Sequence, residues 1–432
     1  MSQEYRRLNG STPMQVYTKI AFIGILVCIA YAVLSKGEFI RYLTWTGETA
    51  GIYPDLFESV RDAANHYPYD WKAIYPPLIY TVLYFFSKLV PGDYVTLGGF
   101  ADASETPNGL LVGTLFLMIV TVAVCVLAAE RLWLKNRGLL GLMTVLVFSP
   151  AYLFMLERGN VVILALLFLE YYTFNYESDD PVKRELALIA LAFATCMKLY
   201  PVIFGVLLLR KDKLKEATRC IVYGLVLFIV PFFAMGGLKE IPHLFENITK
   251  ISADTIASTK GFGYGFKVNV GNIWGAITER LGLNGSGVEL VGSILLLVVV
   301  VQIVAVVLLA QEKWEKIYGL TMILTLIPSF SWIYNEIYLL IPFVLYFAAH
   351  KTMKRSDWVY IILFSLITVP LPYASFFNSL PGFHKVSLST LTGNVAMLAL
   401  LLLLCVKSVA AFVQARTSKS ESYPQDQMQV TE

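Results

Sequence analysis

Residues 185–209 read Glu185-Leu-Ala-Leu-Ile-Ala-Leu-Ala-Phe-Ala-Thr-Cys-Met197-Lys198-Leu199-Tyr200-Pro201-Val-Ile-Phe-Gly-Val-Leu-Leu-Leu209. An apolar stretch of about this length is enough for one membrane-spanning helix. Yet it is basic at both ends, with Lys183-Arg184 before it and Arg210-Lys211 after it. Lys and Arg in short loops mark the cytoplasmic side, so the chain enters and returns on the same side. Two half-helices of about 12 residues would each rise about 18 Å. They would meet at Met197-Lys198-Leu199-Tyr200-Pro201, where proline breaks the helix. Lys198 then sits near the apex of a hairpin, within or just above the outer leaflet. The plainer alternative is a single tilted helix, which upsets the sidedness of every later loop.

Working outward, apolar runs occupy residues 17–35, 109–129, 139–156, 161–176, 218–235, 289–310, 317–330, 337–349, 358–372 and 386–409. The first run lacks a small-residue cleavage site and reads as a retained helix. Basic clusters fall at Arg6-Arg7 with Lys19, Arg131 to Arg137, Lys183-Arg184, Arg210 to Arg219, Lys313 with Lys316, Lys351 to Arg355, and the tail from Lys407. All face the cytoplasm if residues 75–90 form a surface helix begun by Pro76-Pro77, inside one long first outer loop, 36–108. The result is an all-α polytopic membrane protein of about twelve membrane segments, both termini cytoplasmic. It forms one domain over 1–416, with a second long outer loop at 236–288 and a disordered cytoplasmic tail at 417–432. The expected location is the plasma (inner) membrane of a bacterium.

Composition agrees: of 432 residues, 57% are hydrophobic and only 15% charged, against roughly 25% charged in soluble domains. That excludes a water-soluble enzyme, a nucleic-acid binder and a secreted disulfide scaffold. The net charge of +3 says little. Cys28, Cys125, Cys196, Cys220 and Cys405 lie mostly in apolar runs without metal-ligand spacing and read as reduced packing residues. The histidines are scattered, and no nucleotide loop, zinc motif or serine triad is present.

This topology was drawn from Lys and Arg alone, yet it gathers the unusual polar residues on the outer face. In Tyr53-Pro-Asp55-Leu-Phe-Glu58-Ser-Val-Arg61-Asp62 the apolar residues follow helical spacing. Asp55, Glu58 and Asp62 share the opposite face. That face reads either as a solvated surface or as a carboxylate held over the membrane to act as a general base. Glu157-Arg158-Gly159-Asn160 closes the third run. It is either a self-neutralising turn or a functional pair at membrane depth. Lys198 has no acid within its hairpin. A lone buried cation is costly without an anion, so its partner comes from elsewhere in the fold or is a ligand phosphate. Ser331-Trp332-Ile-Tyr334-Asn335-Glu336 joins two later spans. Its aromatics suit an interface belt, which leaves Asn335 and Glu336 unexplained. Asn272 lies in the second long outer loop, where Asn247-Ile-Thr249 also matches the glycosylation pattern, an incidental one in a bacterial chain.

Tyr75-Pro-Pro77-Leu, Glu157-Arg-Gly-Asn160, Met197-Lys-Leu-Tyr-Pro201 and Ser331-Trp332, in this order, resemble glycosyltransferase family 87. These are polyprenyl-phosphate-sugar-dependent, mannosyltransferase-like enzymes of the GT-C superfamily. The resemblance runs from about residue 55 to about residue 342. It implies a GT-C-like fold and a donor sugar carried on a lipid phosphate. It also implies a catalytic acid in the first outer loop, where Asp55 is the matching position. Asn272 resembles an asparagine of the family's long outer loop. Where members often have histidine after Ser-Trp, this chain has Tyr334, Asn335 and Glu336, which leaves no histidine role there.

The expected reaction moves a hexose to a lipid- or glycan-borne hydroxyl on the extracytoplasmic face, with inversion. Asp55 is the base. Lys198 and Arg158 hold the donor phosphate, and Glu157 orients Arg158. Asn160, Tyr200, Trp332, Asn335, Glu336 and Asn272 line or orient the pocket. No metal and no cofactor are expected; the partners are the bilayer, the polyprenyl-phosphate sugar and a glycolipid or glycan acceptor, with no nucleic acid. The rival reading is a transporter or flippase of lipid-linked sugars, which should carry matching polar residues deep in the cytoplasmic half. A structural assembly subunit leaves Lys198 and Glu157-Arg158 without a purpose.

Overall fold

The structure is a computed structural model. It describes residues 11–37, 52–90, 106–134, 136–258, 282, 287–328, 331–371 and 388–421. Among them there are helices and no strand. The chain is a helical membrane protein. Five helices are long and apolar enough to cross a bilayer, or six if one bent pair counts as a single span. Asn272 and the tail after residue 421 lie outside the described residues.

The helices in order are α1 (Pro13–Leu34), α2 (Pro54–Ala64), α3 (Pro77–Ser87), α4 (Pro107–Leu132), α5 (Asn136–Val147), α6 (Pro150–Arg158), α7 (Val162–Asn175), α8 (Pro181–Met197), α9 (Leu214–Ile229), α10 (Ile241–Ser258), α11 (Val288–Leu309), α12 (Lys313–Leu326), α13 (Leu340–Ala349), α14 (Asp357–Thr368) and α15 (Leu388–Glu421). Short 3₁₀ helices lie at Tyr200–Leu208, after α8, and at Ile333–Leu339, before α13. Helices α1, α4, α9 and α11 leave Ile23, Ile119, Ile221 and Leu290 exposed, apolar surface that a bilayer covers.

The run 139–156 is not one straight helix. It bends by 66° between its two halves. Pro150 supplies no N–H, and the Ser149 side chain accepts from the Tyr152 N–H to start a fresh helix. The run 75–90 forms α3, which has 11 residues. At 1.5 Å per residue it is about 16 Å long, too short to span.

The decisive stretch turns back at Lys198, but its arms are unequal. The rising arm, α8, has 17 residues and the descending arm is a 3₁₀ helix of nine. Two thiol contacts fix the chain direction. Cys220 Sγ lies 3.5 Å from the Leu188 carbonyl, and Cys196 Sγ lies 3.6 Å from that of Gly224. Position rises together on α8 and α9, so the two helices run parallel. The segment between them therefore leads back to the level where α8 began.

The basic clusters meet at one end of the bundle. Lys313 and Arg210 both reach Glu177, at 3.0 and 3.5 Å. Arg219 meets Glu185 at 2.8 Å, and Lys407 meets Glu315 at 2.6 Å. Glu177 lies just beyond the last residue of α7, while Asn160 stands just before its first. The 14 residues of α7 put about 21 Å between those two ends.

Candidate active site

The site grows from the turn Glu157-Arg158-Gly159-Asn160. Gly159 ends α6 in the left-handed region, at φ +63°. Its N–H donates to the Leu156 carbonyl, and the Asn160 N–H donates to that of Met155, both at 3.0 Å. This paired pattern is the glycine helix stop known as the Schellman motif. Glycine is required twice here. A Cβ at Gly159 would also come within 2.6 Å of the Tyr53 Cβ. Tyr53 sits on that turn, donating its N–H to the Glu157 carbonyl at 3.2 Å. Pro54 then opens α2, which places Asp55 in its first turn. Leu56, Phe57, Val60 and Ala63 are wholly buried beneath.

Asp55 is thereby brought to residues about a hundred positions away. Arg158 Nε and Nη2 donate to Asp55 Oδ1 at 2.9 and 2.5 Å. Asn160 Nδ2 donates to Asp55 Oδ2 at 2.7 Å and to the Tyr75 hydroxyl at 3.2 Å. The Asn160 amide is itself oriented, because its Oδ1 accepts from the Val162 N–H at 3.0 Å. Two donors on Oδ1 and one on Oδ2 leave Oδ2 with open accepting capacity. Burial holds the Tyr75 hydroxyl well above the usual tyrosine range, so it stays protonated.

A chamber of about 290 Å³ opens over Asp55. Glu58, Ser59, Asp62 and Lys72 line one part of it, and Tyr75, Phe154, Arg158, Trp332 and Tyr334 another. Phe154 stacks on Trp332 and Tyr334, with centroids 6.4 and 5.9 Å apart. Asp62 is buried and bonded to Arg61 at 2.9 Å. Burial pushes its carboxyl up to about 7, against the pull of Arg61.

A smaller cavity of about 50 Å³ adjoins the chamber across Tyr75, Ile251 and Tyr334, and it contains Lys198 and Tyr200. Lys198 is only 7% exposed. Its ammonium donates to Asn335 Oδ1 at 3.1 Å and lies 4.6 Å from the centre of the Tyr334 ring. Asn335 is held by a bond to Ser331 Oγ at 3.0 Å, and that hydroxyl bonds the Thr325 carbonyl. The cation thus has an amide and an aromatic face as neighbours, which stabilise it less than a carboxylate does.

Asp55, Arg158, Asn160, Lys198, Tyr200, Trp332 and Asn335 therefore meet around two joined cavities. Arg158 is bound to Asp55; Glu157 accepts the Tyr53 N–H through its carbonyl, and its carboxylate acts electrostatically on Arg158. Glu336 lies elsewhere, beside Tyr17 and Thr368 at a separate small cavity. Successive residues of a 3₁₀ helix point about 120° apart, so Tyr334, Asn335 and Glu336 face three ways. The walls supplied by Tyr75, Phe154 and Tyr334 were missed as site residues. Pro76 was the available signal for Tyr75, since a residue before proline is held extended. Asn247 is half-buried and donates to the Tyr69 and Ala73 carbonyls, so its side chain ties α10 to the segment between α2 and α3. Asp70, Glu240 and His243 could present ligand atoms to a metal ion, but none of the three lines the Asp55 chamber.

Gly159→Ala should displace the Arg158 and Asn160 bonds to Asp55 and lower whatever activity depends on that constellation by about 100-fold, the cost of a misplacement of about 1 Å. It should also destabilise the fold by about 1–3 kcal/mol, the strain of a side chain in the left-handed region. Initial rates and thermal unfolding of the purified variant check both.

The model of glycosyltransferase family 87 matches residues 73–329, more than half of the chain. The match takes in Tyr75, the Glu157–Asn160 turn, Lys198 and Tyr200; Asp55 lies before it. No curated protein matches the chain.

Proposed function

The chain belongs to glycosyltransferase family 87, and on that premise we propose that it transfers a mannose-like hexose from a polyprenyl-phosphate donor to a lipid- or glycan-borne hydroxyl. The observation that carries this reading is a carboxylate and a buried cation in adjoining cavities. Asp55 has two anchoring partners and open capacity on Oδ2. Lys198 lies across Tyr75 and Tyr334 from it.

The reaction is a single inverting displacement. The acceptor hydroxyl gives its proton to Asp55 Oδ2. Its oxygen forms a bond to the anomeric carbon as the bond from that carbon to the phosphate oxygen breaks. The negative charge that grows on the departing phosphate is met by Lys198. A preformed cation in a water-poor site stabilises such charge at little reorganisation cost. Arg158 serves the base rather than the phosphate, fixing Oδ1 so that Oδ2 faces the acceptor. The stacked Phe154, Trp332 and Tyr334 offer apolar faces to a sugar ring, and Glu58, Ser59, Asp62 and Lys72 offer bonding partners to its hydroxyls. An extracytoplasmic position for the chambers is part of this reading, supported by the basic residues gathered at the far end of the bundle and the positive-inside rule.

Purified protein in vesicles, given a radiolabelled sugar on either a polyprenyl phosphate or a nucleoside diphosphate, tests this. Label should enter the acceptor from the lipid donor with inverted anomeric configuration. Transfer from the nucleotide sugar alone would remove the lipid-donor reading, and movement of lipid-linked label across the vesicle without transfer would support transport instead.

A further inference from the structure

The face of α2 that carries the base extends well past it. Asp55, Ser59 and Asp62 stand at i, i+4 and i+7 of this helix, so they share one face. All three line the chamber. Seven residues at 1.5 Å each place Asp62 about 10 Å along the helix axis from Asp55. The opposite face, with Leu56, Phe57, Val60 and Ala63, is wholly buried, which holds the polar stripe in place.

This stripe presents hydrogen-bond acceptors. The Ser59 hydroxyl donates to the Asp55 carbonyl at 2.8 Å, so toward a ligand it can only accept. Asp62 is 3% exposed. Its Oδ1 takes both Arg61 Nε and Arg61 Nη2, at 3.2 and 2.9 Å, and Oδ2 meets no donor among the described residues. Burial pushes this carboxyl up to about 7; above that pH Oδ2 also only accepts. A carboxylate oxygen left without a donor in so buried a side chain is costly, and the hydroxyls of a ligand in the chamber would satisfy it.

The neighbouring cations do not turn the stripe into an anion site. Arg158 is engaged by Asp55 and Arg61 by Asp62. The Lys198 cavity, to which the donor phosphate is assigned, includes neither Ser59 nor Asp62. A ligand that meets the stripe must therefore bring donors and no negative charge, which describes a neutral sugar and excludes a phosphate or a carboxylate. The span from Asp55 to Asp62 exceeds one pyranose ring. The hydroxyl that reacts and the hydroxyls that meet Asp62 then belong to different sugar units.

We propose that Ser59 and Asp62 form a subsite for the sugar next to the one that receives the new hexose, and that the acceptor is an uncharged glycan longer than a single sugar. The assignment rests on the transfer reaction proposed above and names the class of its acceptor.

The test uses alkyl glycosides carrying one neutral hexose, two neutral hexoses, or two units with a uronic acid as the inner one. Calorimetric Kd and transfer KM are measured at alkaline pH for wild type, Asp62→Asn and Ser59→Ala. In Asp62→Asn the amide oxygen can stay with Arg61, and a nitrogen donor replaces Oδ2 with little change of shape. Its Kd and KM for the neutral diglycoside, each relative to the monoglycoside, should rise about 10- to 100-fold, the loss of a hydrogen bond to a charged group. Ser59→Ala should raise the same ratios less. Wild type should bind the uronic acid form at least about 10-fold more weakly than the neutral diglycoside, because like charges oppose each other, and Asp62→Asn should narrow that gap. If the Asp62–Arg61 pair only supports the fold, the three ligands shift together, and that common shift would overturn the subsite. So would a wild type that binds the diglycoside no better than the monoglycoside, or the uronic acid form as tightly as the neutral one. Discrimination in Kd without transfer to any glycoside would leave the subsite standing and sink the transfer reaction instead.

Discussion

Asp55→Asn is expected to slow sugar transfer by about 10²- to 10⁴-fold, the range for losing a positioned general base. The substitution keeps the size of the side chain and removes its ability to take a proton. It also alters the anchoring. Arg158 donates twice to Oδ1 and Asn160 once to Oδ2, and the Arg158–Asp55 pair is partly buried, with side-chain exposures of 23% and 18%. Hydrogen bonds to charged groups contribute about 1.5–3 kcal/mol, so some loss of thermal stability accompanies the loss of rate. Asp55→Glu separates the two effects. It retains the charge and a bond to Arg158 but moves the proton-accepting oxygen by one methylene. Its rate should stay far below wild type while its unfolding temperature returns toward it. The KM for the donor should change little in either variant, since Lys198 is untouched. Transfer at the wild-type rate by Asp55→Asn would remove this residue as the base.

The apolar runs announced a helical membrane protein, and five or six helices are long and apolar enough to cross a bilayer. Lys183-Arg184 and Arg210-Lys211 on either side of one apolar run favoured a return at Lys198 over a single tilted helix, and the parallel arrangement of α8 and α9 has that form. Glycine and proline marked several local breaks, at Gly159, Pro77 and Pro201. The break at Ser149-Pro150 was equally visible in composition, but hydropathy averaged it away. The assembly of the site was harder to read. Arg158 and Asp55 are separated by 103 positions, and nothing in the local sequence says that an arginine at this helix end will meet a carboxylate so far away in the chain. The choice is made by Tyr53 docking on the Gly159 turn, a contact between backbones that composition does not record. The placement of Glu336 at a different cavity was hidden for a similar reason. Adjacent in sequence to Asn335, it is turned away by the geometry of a 3₁₀ helix, which periodicity tuned to α-helices does not anticipate.

Lys198→Met separates a phosphate-binding role from a packing role by the opposite signs of its two effects. The methionine has nearly the same length and apolar stem. If Lys198 meets the charge that develops on the departing phosphate, kcat/KM for the donor should fall by about 10²- to 10³-fold, the usual loss for one such electrostatic group. Stability should move the other way. The ammonium is 7% exposed and bonds to one neutral amide. Desolvating a charge costs several kcal/mol unless a partner compensates, so an apolar side chain of the same shape should raise the unfolding temperature of the free protein. A donor or phosphate-bearing analogue should stabilise wild type more than Lys198→Met, because a ligand that binds only the folded state adds its binding energy to stability. A purely structural lysine predicts the reverse: lower stability, with catalysis falling only as far as the fold does. Asn335→Leu supplies the intermediate case. It removes the amide that holds the ammonium in place and leaves the charge, so the donor KM should rise while the maximal rate declines less than in Lys198→Met. Unchanged donor kinetics in Lys198→Met would end the phosphate assignment, even if Asp55 proved indispensable.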